Sequence, residues 1–217
     1  MVTKVAINGF GRIGRLALRA IVESKRKDIE VVAINDLGTS DFNAHLLQYD
    51  SVHGQFPYKV KSSKTSINAG LGPIKIFSER NPEDLPWKKL GVDVVMECTG
   101  IFTDKAKASL HINAGAKRVL ISAPSKDADI TVVYGVNHQK IRKSHKVISN
   151  ASCTTNCLAP VAMVLDKLCG INQGYMTTVH AFTGDQAILD TLHSDKRRAR
   201  SASQSIIPTS TGAAKAV

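Results

Sequence analysis

The chain has no run of about 18 apolar residues, so its sequence predicts no membrane-spanning helix. Residues 1–4 lead straight into the apolar segment 5–7, which leaves no room for a cleavable signal peptide. We therefore expect a cytoplasmic location. What is present, 43% apolar and 22% charged residues over 217 positions, is typical of one large globular domain or of one domain and part of another.

Cysteine is scarce, with four residues at positions 98, 153, 157 and 169. No pair of Cys-x-x-Cys motifs occurs, and no histidine stands beside Cys153 and Cys157 in the sequence to complete a ligand set. Zinc is therefore not expected, and no metal site is predicted. A disulfide framework is also not expected, because cytoplasmic thiols stay reduced.

Acidic residues are few: 18 Asp and Glu stand against 29 Lys and Arg, for a net charge of +11. Such an excess is compatible with nucleic acid, with small anionic substrates, or with a fragment whose acidic remainder is absent. No basic stretch is interleaved with aromatic residues, as in a surface on which bases stack. Nucleic acid is thus not the primary partner that we expect.

The N-terminal stretch has a pattern typical of dinucleotide binding. An apolar strand at residues 5–8 runs into Gly9-x-Gly11-x-x-Gly14, helical periodicity follows, and a second apolar run ends in Asp36. The glycines permit a tight turn and a close approach of the backbone to a pyrophosphate at the helix N-terminus. Asp36 stands where an acid meets the adenosine ribose hydroxyls, and its charge favours NAD over NADP. An ordinary βαβ turn with a surface Asp is the weaker alternative.

Further apolar runs predict a doubly wound, mostly parallel sheet, and so an α/β fold. The predicted strands are 92–98, 117–122, 130–133 and 146–148, with helices at 41–49 and 104–114 and antiparallel hairpins within 58–77. Because ligands lie beyond the carboxyl ends of such strands, Thr99 and Gly100 should line the cofactor cleft, whereas Cys98 is expected in the core. These features predict a dinucleotide-binding domain at 1–150 and a partial second domain at 151–217.

Cys153 stands where a predicted helix over residues 153–169 begins, and Gly170 ends that helix. Free N–H groups and the positive end of the helix dipole favour an anion there, so the thiol should ionise more easily and become a nucleophile. The alternative, a small buried cysteine beside a helix cap, is about equally favoured by position alone. His180, on a strand predicted over 174–183, would by itself more often be a core histidine than a base.

Two later stretches suggest anion binding. The loop at residues 196–200 (Lys-Arg-Arg-Ala-Arg) is strongly basic, and a Thr-Ser-Thr-Gly run at 209–212 precedes a predicted helix at 213–216. A helix N-terminus rich in hydroxyl groups and glycine binds phosphate well. The basic loop could also be a solvated surface, but its closeness in sequence to the Thr-Ser-Thr-Gly run favours phosphate binding.

Four motifs stand out along the chain. They are residues 8–15 (Asn-Gly-Phe-Gly-Arg-Ile-Gly-Arg), 151–157 (Ala-Ser-Cys-Thr-Thr-Asn-Cys), 197–200 (Arg-Arg-Ala-Arg) and 207–215 (Ile-Pro-Thr-Ser-Thr-Gly-Ala-Ala-Lys). In this order, and over the whole chain, the sequence resembles the phosphorylating glyceraldehyde-3-phosphate dehydrogenases of bacterial type. The resemblance implies a Rossmann-type domain followed by the beginning of an α+β catalytic domain, with the family's C-terminal third lacking.

The resemblance implies NAD-dependent oxidation and phosphorylation of glyceraldehyde 3-phosphate to 1,3-bisphosphoglycerate, a step of glycolysis, by a homotetramer. Cys153 would attack the aldehyde to give a thiohemiacetal and then a thioester, His180 would act as the base, and inorganic phosphate would release the acyl group. The implied NAD contacts at Arg12, Ile13, Asp36, Arg80 and Ser122 join the predicted cofactor residues Gly9, Phe10, Gly11, Gly14, Thr99 and Gly100. The implied substrate and phosphate contacts are Ser152, Thr154, Thr183, Thr211, Gly212 and one arginine of the basic loop, Arg198 in preference to Arg197.

Three alternatives stay open. An erythrose-4-phosphate dehydrogenase would use the same Cys and His chemistry, although it usually differs at the Thr-Ser-Thr-Gly run. Some use of NADP is compatible with the absence of a proline near residues 190–192, which NAD-strict members often carry. A non-enzymatic, nucleic-acid-binding role is the third alternative, from the net charge of +11.

Overall fold

A computed structural model of the chain describes residues 2–211. The predicted phosphate contact Gly212 and the helix predicted after it lie outside these residues. The chain divides into two compact units, Met1–Ser152 and Cys153–Val217. Within residues 2–211, no helix combines the length and the apolar character that crossing a bilayer requires.

The first unit is built on a nine-stranded sheet, and a separate two-stranded hairpin accompanies it. The strands are β1 (Thr3–Asn8), β2 (Ile29–Asn35), β3 (Tyr49–Asp50), β4 (Gly54–Gln55), β5 (Lys61–Ser63), β6 (Ser66–Asn68), β7 (Pro73–Phe77), β8 (Val94–Glu97), β9 (Arg118–Ile121), β10 (Ile130–Thr131) and β11 (Val147–Ser149). Their order in the large sheet is β10-β11-β9-β8-β1-β2-β7-β6-β5, and β3 pairs with β4. The pairings from β10 to β7 are parallel, whereas β7, β6 and β5 pair antiparallel.

Helices connect the parallel strands, as crossovers require. They are α1 (Arg12–Glu23), α2 (Ser40–Gln48), α3 (Trp87–Leu90), α4 (Lys105–Ala108) and α5 (Leu110–Asn113), with single 3-10 turns at Pro82–Asp84 and His138–Lys140. Strand β1 lies between β2 and β8, so the chain reverses its direction of winding there. The carboxyl ends of these three strands therefore border the crevice in which α/β sheets bind their ligands.

The core lies on both faces of this sheet. The last four residues of β1 are buried, as expected for a parallel strand covered by elements on either side. Successive side chains point to opposite faces, so Ile7 packs in one cluster with Leu18 and Phe56, and Ala6 packs in another with Trp87. The predicted Rossmann-type α/β fold is thus confirmed for the first unit.

The second unit has one regular element in its described part, helix α6 (Cys153–Cys169). The bounds of the helix that was predicted from Cys153 are therefore right. The strand predicted over 174–183 is wrong: these residues form no strand. A strand needs a hydrogen-bonded neighbour, and residues 153–211 provide none.

A second prediction needs correction in the first unit. The helix expected over 104–114 is divided into α4 and α5, with Ser109 between them. The Ser109 hydroxyl donates a hydrogen bond to the carbonyl oxygen of Lys105 at 2.7 Å. Such bonds from serine to the preceding turn compete with the helical backbone ladder.

Candidate active site

The three glycines of the turn after β1 differ in their surroundings. Gly9 has a φ of +87°, and a Cβ added there would lie 2.7 Å from the backbone nitrogen of Thr99. A Cβ on Gly14 would lie 2.2 Å from the carbonyl oxygen of Gly9. Nothing lies within 4 Å of a Cβ built on Gly11. Two glycines therefore serve the close packing of the turn, and the third leaves open space over the start of α1.

A cleft of about 430 Å³ lies beside this turn. Its walls come from residues that end or follow β1, β2, β7 and β8: Asn8, Gly9, Gly11, Asn35, Asp36, Leu37, Glu79, Arg80, Cys98, Thr99, Ile101 and Phe102. The predicted cofactor residues Gly9, Gly11, Asp36, Arg80 and Thr99 thus meet in one cleft. It lies at the carboxyl ends of the strands, where the winding direction reverses.

Asp36 is bound to the glycine turn as well as to its own loop. Its Oδ2 accepts the backbone N–H of Phe10 at 2.8 Å, and its Oδ1 accepts the backbone N–H of Gly38 at 2.9 Å and the side-chain amide of Asn43 at 3.2 Å. The Phe10 side chain itself is buried in the core. Phe10 therefore contributes its backbone to the turn, and the carboxylate of Asp36 has a defined orientation.

Arg12 opens helix α1 and forms a two-point ion pair with Asp50. Its Nη1 and Nη2 donate to the two carboxylate oxygens at 2.9 and 3.3 Å. Hydrogen bonds from the backbone N–H of His53 and from Arg12 hold the pKa of Asp50 far below its usual range, against the opposing effect of desolvation. The guanidinium therefore binds Asp50. The groups of this turn that can bind an anion are the backbone N–H groups of Arg12 and Ile13 at the start of α1.

Gly100 and Ser122 lie near the cleft but not among its walls. Gly100 follows Thr99 with a φ of +74°. Ser122 donates its backbone N–H to the carbonyl oxygen of Glu97 at 3.0 Å, and its side chain hydrogen-bonds Cys98. Burial raises the pKa of the Cys98 thiol to about 11, although the Ser122 bond acts to lower it. Cys98 is therefore a poor nucleophile.

In the second unit, the side chains of Cys153 and His180 meet. The Cys153 Sγ, in the first residue of α6, lies 3.1 Å from the His180 Nε2. The His180 Nδ1 lies 2.7 Å from the carbonyl oxygen of Ala181. A carbonyl only accepts, so Nδ1 carries a proton and Nε2 is left to exchange its proton with the sulfur.

Both groups of this pair have shifted pKa values. Partial burial acts to raise the pKa of Cys153, but the hydrogen bond and charge of His180, with hydrogen bonds from Thr154, outweigh it, and the pKa is lowered. The carbonyl of Ala181, followed by the hydrogen bond and charge of Cys153, raises the pKa of His180. The shifts in opposite directions favour a thiolate beside an imidazolium, which is the arrangement of an activated cysteine nucleophile.

The backbone just before Cys153 is strained. Ala151 has a φ of +56° and is buried, a conformation that residues with a Cβ rarely adopt. Such strain is found preferentially at functional sites. The predicted substrate residue Ser152, which is half-buried, follows it.

Other predicted substrate residues are placed less directly. Thr154 hydrogen-bonds Cys153, whereas the backbone N–H and hydroxyl of Thr183 bond the Gln186 Oε1, at 2.7 and 3.2 Å. Thr211 is the last described residue. Thr154 therefore contacts the sulfur of Cys153.

Arg198 is the arginine of the basic loop that reaches the Thr-Ser-Thr-Gly run. Its Nε donates to the Thr209 Oγ1 at 2.8 Å, and its Nη1 forms an ion pair with Asp185 at 2.5 Å. Arg197 instead pairs with Asp195, at 2.9 Å. The two arginines therefore have different partners, and the carboxylate of Asp185 lies beside Arg198.

Several polar residues around the cleft were not predicted from the sequence. Asn8, Asn35 and Glu97 are each buried, and each is the last residue of its strand, β1, β2 or β8. A polar residue at the end of an otherwise apolar strand is the sequence signal that could have identified them. Asp50 and Asp185, which pair with arginines, had no comparable signal.

Comparison with known proteins identifies the family of this chain. The family model "Glyceraldehyde 3-phosphate dehydrogenase, NAD binding domain" matches residues 3–105, and the model of the C-terminal domain of the same family matches residues 152–217. Proteins named glyceraldehyde-3-phosphate dehydrogenase are 65% identical in Xanthobacter flavus and 64% identical in Cereibacter sphaeroides, each over all 217 residues of this chain. A protein of the same name in Pseudomonas aeruginosa is 59% identical.

This chain spans 65% of the length of each of these three relatives. The two domain models match in the order in which the glycine turn and the Cys153–His180 pair occur along the chain. The chain therefore belongs to the glyceraldehyde-3-phosphate dehydrogenase family.

Proposed function

We propose that the protein is an NAD-dependent, phosphorylating glyceraldehyde-3-phosphate dehydrogenase of glycolysis. The observation that carries the proposal is the distance of 3.1 Å between the Cys153 Sγ and the His180 Nε2, with Nδ1 of the same ring bound to a carbonyl oxygen. This is the arrangement of a nucleophile and its base. The first unit of the same chain contains a cleft and a glycine turn that are typical of a dinucleotide site.

The residues of the first unit fit NAD. The open space over Gly11 accommodates a pyrophosphate at the N-terminus of α1, and the first turn of that helix contains no acidic residue to repel it. Asp36, in the wall of the cleft, accepts hydrogen bonds from ribose hydroxyls. When bound, the nicotinamide supplies the hydride acceptor for the aldehyde.

The residues of the second unit act on the aldehyde. The Cys153 thiolate attacks the carbonyl carbon, and the oxyanion that forms takes the proton of the His180 Nε2 to give a thiohemiacetal. The neutral Nε2 then accepts the hydroxyl proton as the carbon gives up its hydride and is oxidised. A thioester on Cys153 results. An oxygen of inorganic phosphate then attacks this carbonyl, the C–S bond breaks, and an acyl phosphate leaves with the thiolate restored. The thioester retains the free energy of the oxidation that hydrolysis would dissipate.

The substrate's phosphate and the attacking phosphate both need cations or N–H donors. We assign Arg198 to one of them, with Ser152, Thr154, Thr183, Thr211 and Gly212 as further contacts. We further propose that residues 1–150 bind the cofactor, that residues 151–217 belong to a catalytic domain, and that the protein is a cytoplasmic homotetramer. The family resemblance supports the homotetramer.

The test uses the protein expressed from its complete gene. NADH formation from glyceraldehyde 3-phosphate should require inorganic phosphate and should exceed that from erythrose 4-phosphate. Cys153→Ser should abolish it, because a hydroxyl is a far weaker nucleophile than a thiolate, whereas NAD affinity should change little. Cys157→Ser, one turn further along α6, is the matched control and should retain activity. Faster oxidation of erythrose 4-phosphate, or full activity of Cys153→Ser, would contradict the proposal.

A further inference from the structure

A chain of buried polar side chains lies beneath the cofactor cleft. Glu97 at the end of β8, Asn8 at the end of β1 and His111 in α5 are all exposed by 2% or less. Trp87, the only tryptophan in the sequence, is fully buried beside them. Polar groups at such depth are costly unless each one is hydrogen-bonded, and no step proposed above uses them.

The hydrogen bonds fix the protonation of His111. The Trp87 Nε1–H can only donate, and it lies 3.0 Å from the His111 Nδ1. Nδ1 is therefore the acceptor and carries no proton. The proton of the neutral ring is then on Nε2, which lies 3.0 Å from the Glu97 Oε2. His111 thus accepts a hydrogen bond from the indole of Trp87 and donates one to the carboxylate of Glu97.

Each oxygen of Glu97 faces two donors. Oε2 accepts from the His111 Nε2 and from the Asn8 Nδ2, the latter at 2.6 Å. Oε1 accepts the backbone N–H of Thr99 at 2.8 Å and also the Thr99 hydroxyl. Four donors match the acceptor capacity of an ionised carboxylate. Glu97 therefore joins β1, α5 and the loop after β8 at one buried point.

The residues that Glu97 binds belong to the walls of the cleft or contact them. Asn8 and Thr99 are both wall residues, and the Asn8 Oδ1 accepts from the Asn35 Nδ2 at 2.7 Å, which brings in the end of β2. Gly9 packs so closely on Thr99 that a Cβ would lie 2.7 Å from its nitrogen. A displacement of Thr99 would therefore displace the glycine turn as well.

We propose that Glu97 is a positioning residue for the cofactor. Its carboxylate, held from behind by His111 and Trp87, keeps Thr99, Asn8 and through them the glycine turn in the conformation that receives the dinucleotide. Glu97 lies outside the cleft walls and acts through its neighbours. This inference rests on the NAD binding proposed above.

Glu97→Gln tests the role with almost no change in shape. The glutamine amide must direct its NH2 either towards Asn8 and His111 or towards Thr99, and donors stand on both sides. In the first orientation an amide N–H of the glutamine faces the N–H of the His111 Nε2. The ring cannot move that proton to Nδ1, because Nδ1 would then face the indole N–H of Trp87. The second leaves the Thr99 N–H without an acceptor. Either way the wall of the cleft shifts. Glu83→Gln is the matched control, because Glu83 is an exposed carboxylate that accepts from Asn113 at 2.8 Å.

The experiment measures the Kd of NAD by titration calorimetry on the protein from its complete gene. We expect Glu97→Gln to raise the Kd about tenfold or more, which is the effect of one unsatisfied buried donor, and Glu83→Gln to leave it unchanged. In steady-state kinetics the KM for NAD should rise while kcat at saturating NAD stays within about twofold. In a double-mutant cycle with Thr99→Val, the effects of the two changes should be less than additive, because Glu97 acts through Thr99.

The outcomes separate the two proposals. A wild-type protein that does not bind NAD would overturn the proposed function and this inference with it. Wild-type binding that Glu97→Gln leaves unaltered, or effects that add fully with those of Thr99→Val, would overturn this inference alone. If Glu97→Gln does not fold, the tautomer of His111 in the wild-type protein tests the inference instead. We expect a neutral ring protonated at Nε2, identified in ¹⁵N-histidine spectra by its contact with the Trp87 indole N–H. A ring protonated at Nδ1 would overturn the proposal.

Discussion

The carboxylate of Asp36 and the backbone N–H of Phe10 are joined by a hydrogen bond of 2.8 Å, so the acid that ends β2 is tied to the glycine turn that follows β1. Asp36 therefore has two separable properties. It supplies a negative charge to the cleft, and it serves as an acceptor that orders the turn.

The first prediction separates charge from ordering. Asp36→Asn keeps an acceptor oxygen for Phe10 but removes the charge that repels a 2′-phosphate, so the ratio of NADP to NAD efficiency should rise about tenfold, or ~1.4 kcal/mol. Asp36→Gly should raise the same ratio, but it should weaken both cofactors because the turn loses its acceptor. Steady-state kinetics with both cofactors measures this. Asp41→Asn, on the neighbouring helix α2, is the control, and an unchanged ratio in Asp36→Asn would refute the role of Asp36 as discriminator.

The second prediction concerns the pH dependence of the thiolate. His180 acts to lower the pKa of Cys153, and burial acts to raise it, so His180→Asn should move the thiol pKa upwards. Alkylation of Cys153 by iodoacetamide follows the thiolate, so its midpoint should move to higher pH. The rate at pH 7 should fall about tenfold for each pH unit by which the midpoint rises. His138→Asn, in the first unit, should leave the profile in place. A midpoint that does not move in His180→Asn would show that the contact has no electrostatic effect.

The third prediction orders two cysteines by reactivity. Burial raises the pKa of Cys98 to about 11, whereas the pKa of Cys153 is lowered. At pH 8 the native protein should therefore be alkylated at Cys153 long before Cys98, and Cys98 should react only after unfolding. Peptide mapping by mass spectrometry at timed intervals measures this order. Early modification of Cys98 would mean that its side chain opens to solvent in the native state.

The fourth prediction concerns the two neighbouring arginines. Arg198 bonds Thr209 and Arg197 bonds Asp195, so Arg198→Ala should raise the KM for phosphate or for glyceraldehyde 3-phosphate by about 10- to 100-fold, the loss of one or two charge-assisted hydrogen bonds. Arg197→Ala is the matched control and should change these constants little. Equal losses in the two variants would assign the effect to the loop as a whole.

The fifth prediction compares two glycines of the same turn. Gly9→Ala places a methyl group 2.7 Å from the Thr99 nitrogen at a positive φ, so the free energy of unfolding should fall by about 1–3 kcal/mol. Gly11→Ala meets no atom within 4 Å and should retain its thermal midpoint. Its methyl group nonetheless enters the space assigned to the pyrophosphate, so NAD affinity should decrease. Gly11→Ala that binds NAD as tightly as the wild type would place the pyrophosphate elsewhere.

Local patterns predicted much of the first unit and the one helix in the described part of the second. The apolar run before the glycine turn became β1, the run ending at Asp36 became β2, and helix α6 begins at Cys153 and ends before Gly170, as its caps indicated. These predictions succeeded because glycines, helix caps and the spacing of apolar residues determine the local structure within a few residues of themselves. The strand predicted over 174–183 failed for the opposite reason: an alternating pattern forms a strand only where another strand is available to pair with it.

The sequence by itself determined the class of fold, the glycine turn, Asp36 and the start of helix α6 at Cys153, because each depends on short-range chemistry that is readable along the chain. Only the tertiary structure decided which atoms meet. It brought the Cys153 Sγ to the His180 Nε2 across 27 positions, directed Arg198 and not Arg197 to Thr209, and placed Glu97, His111 and Trp87 beneath the cleft. Such contacts join residues far apart in sequence, and their partners are selected by packing, which no local pattern encodes.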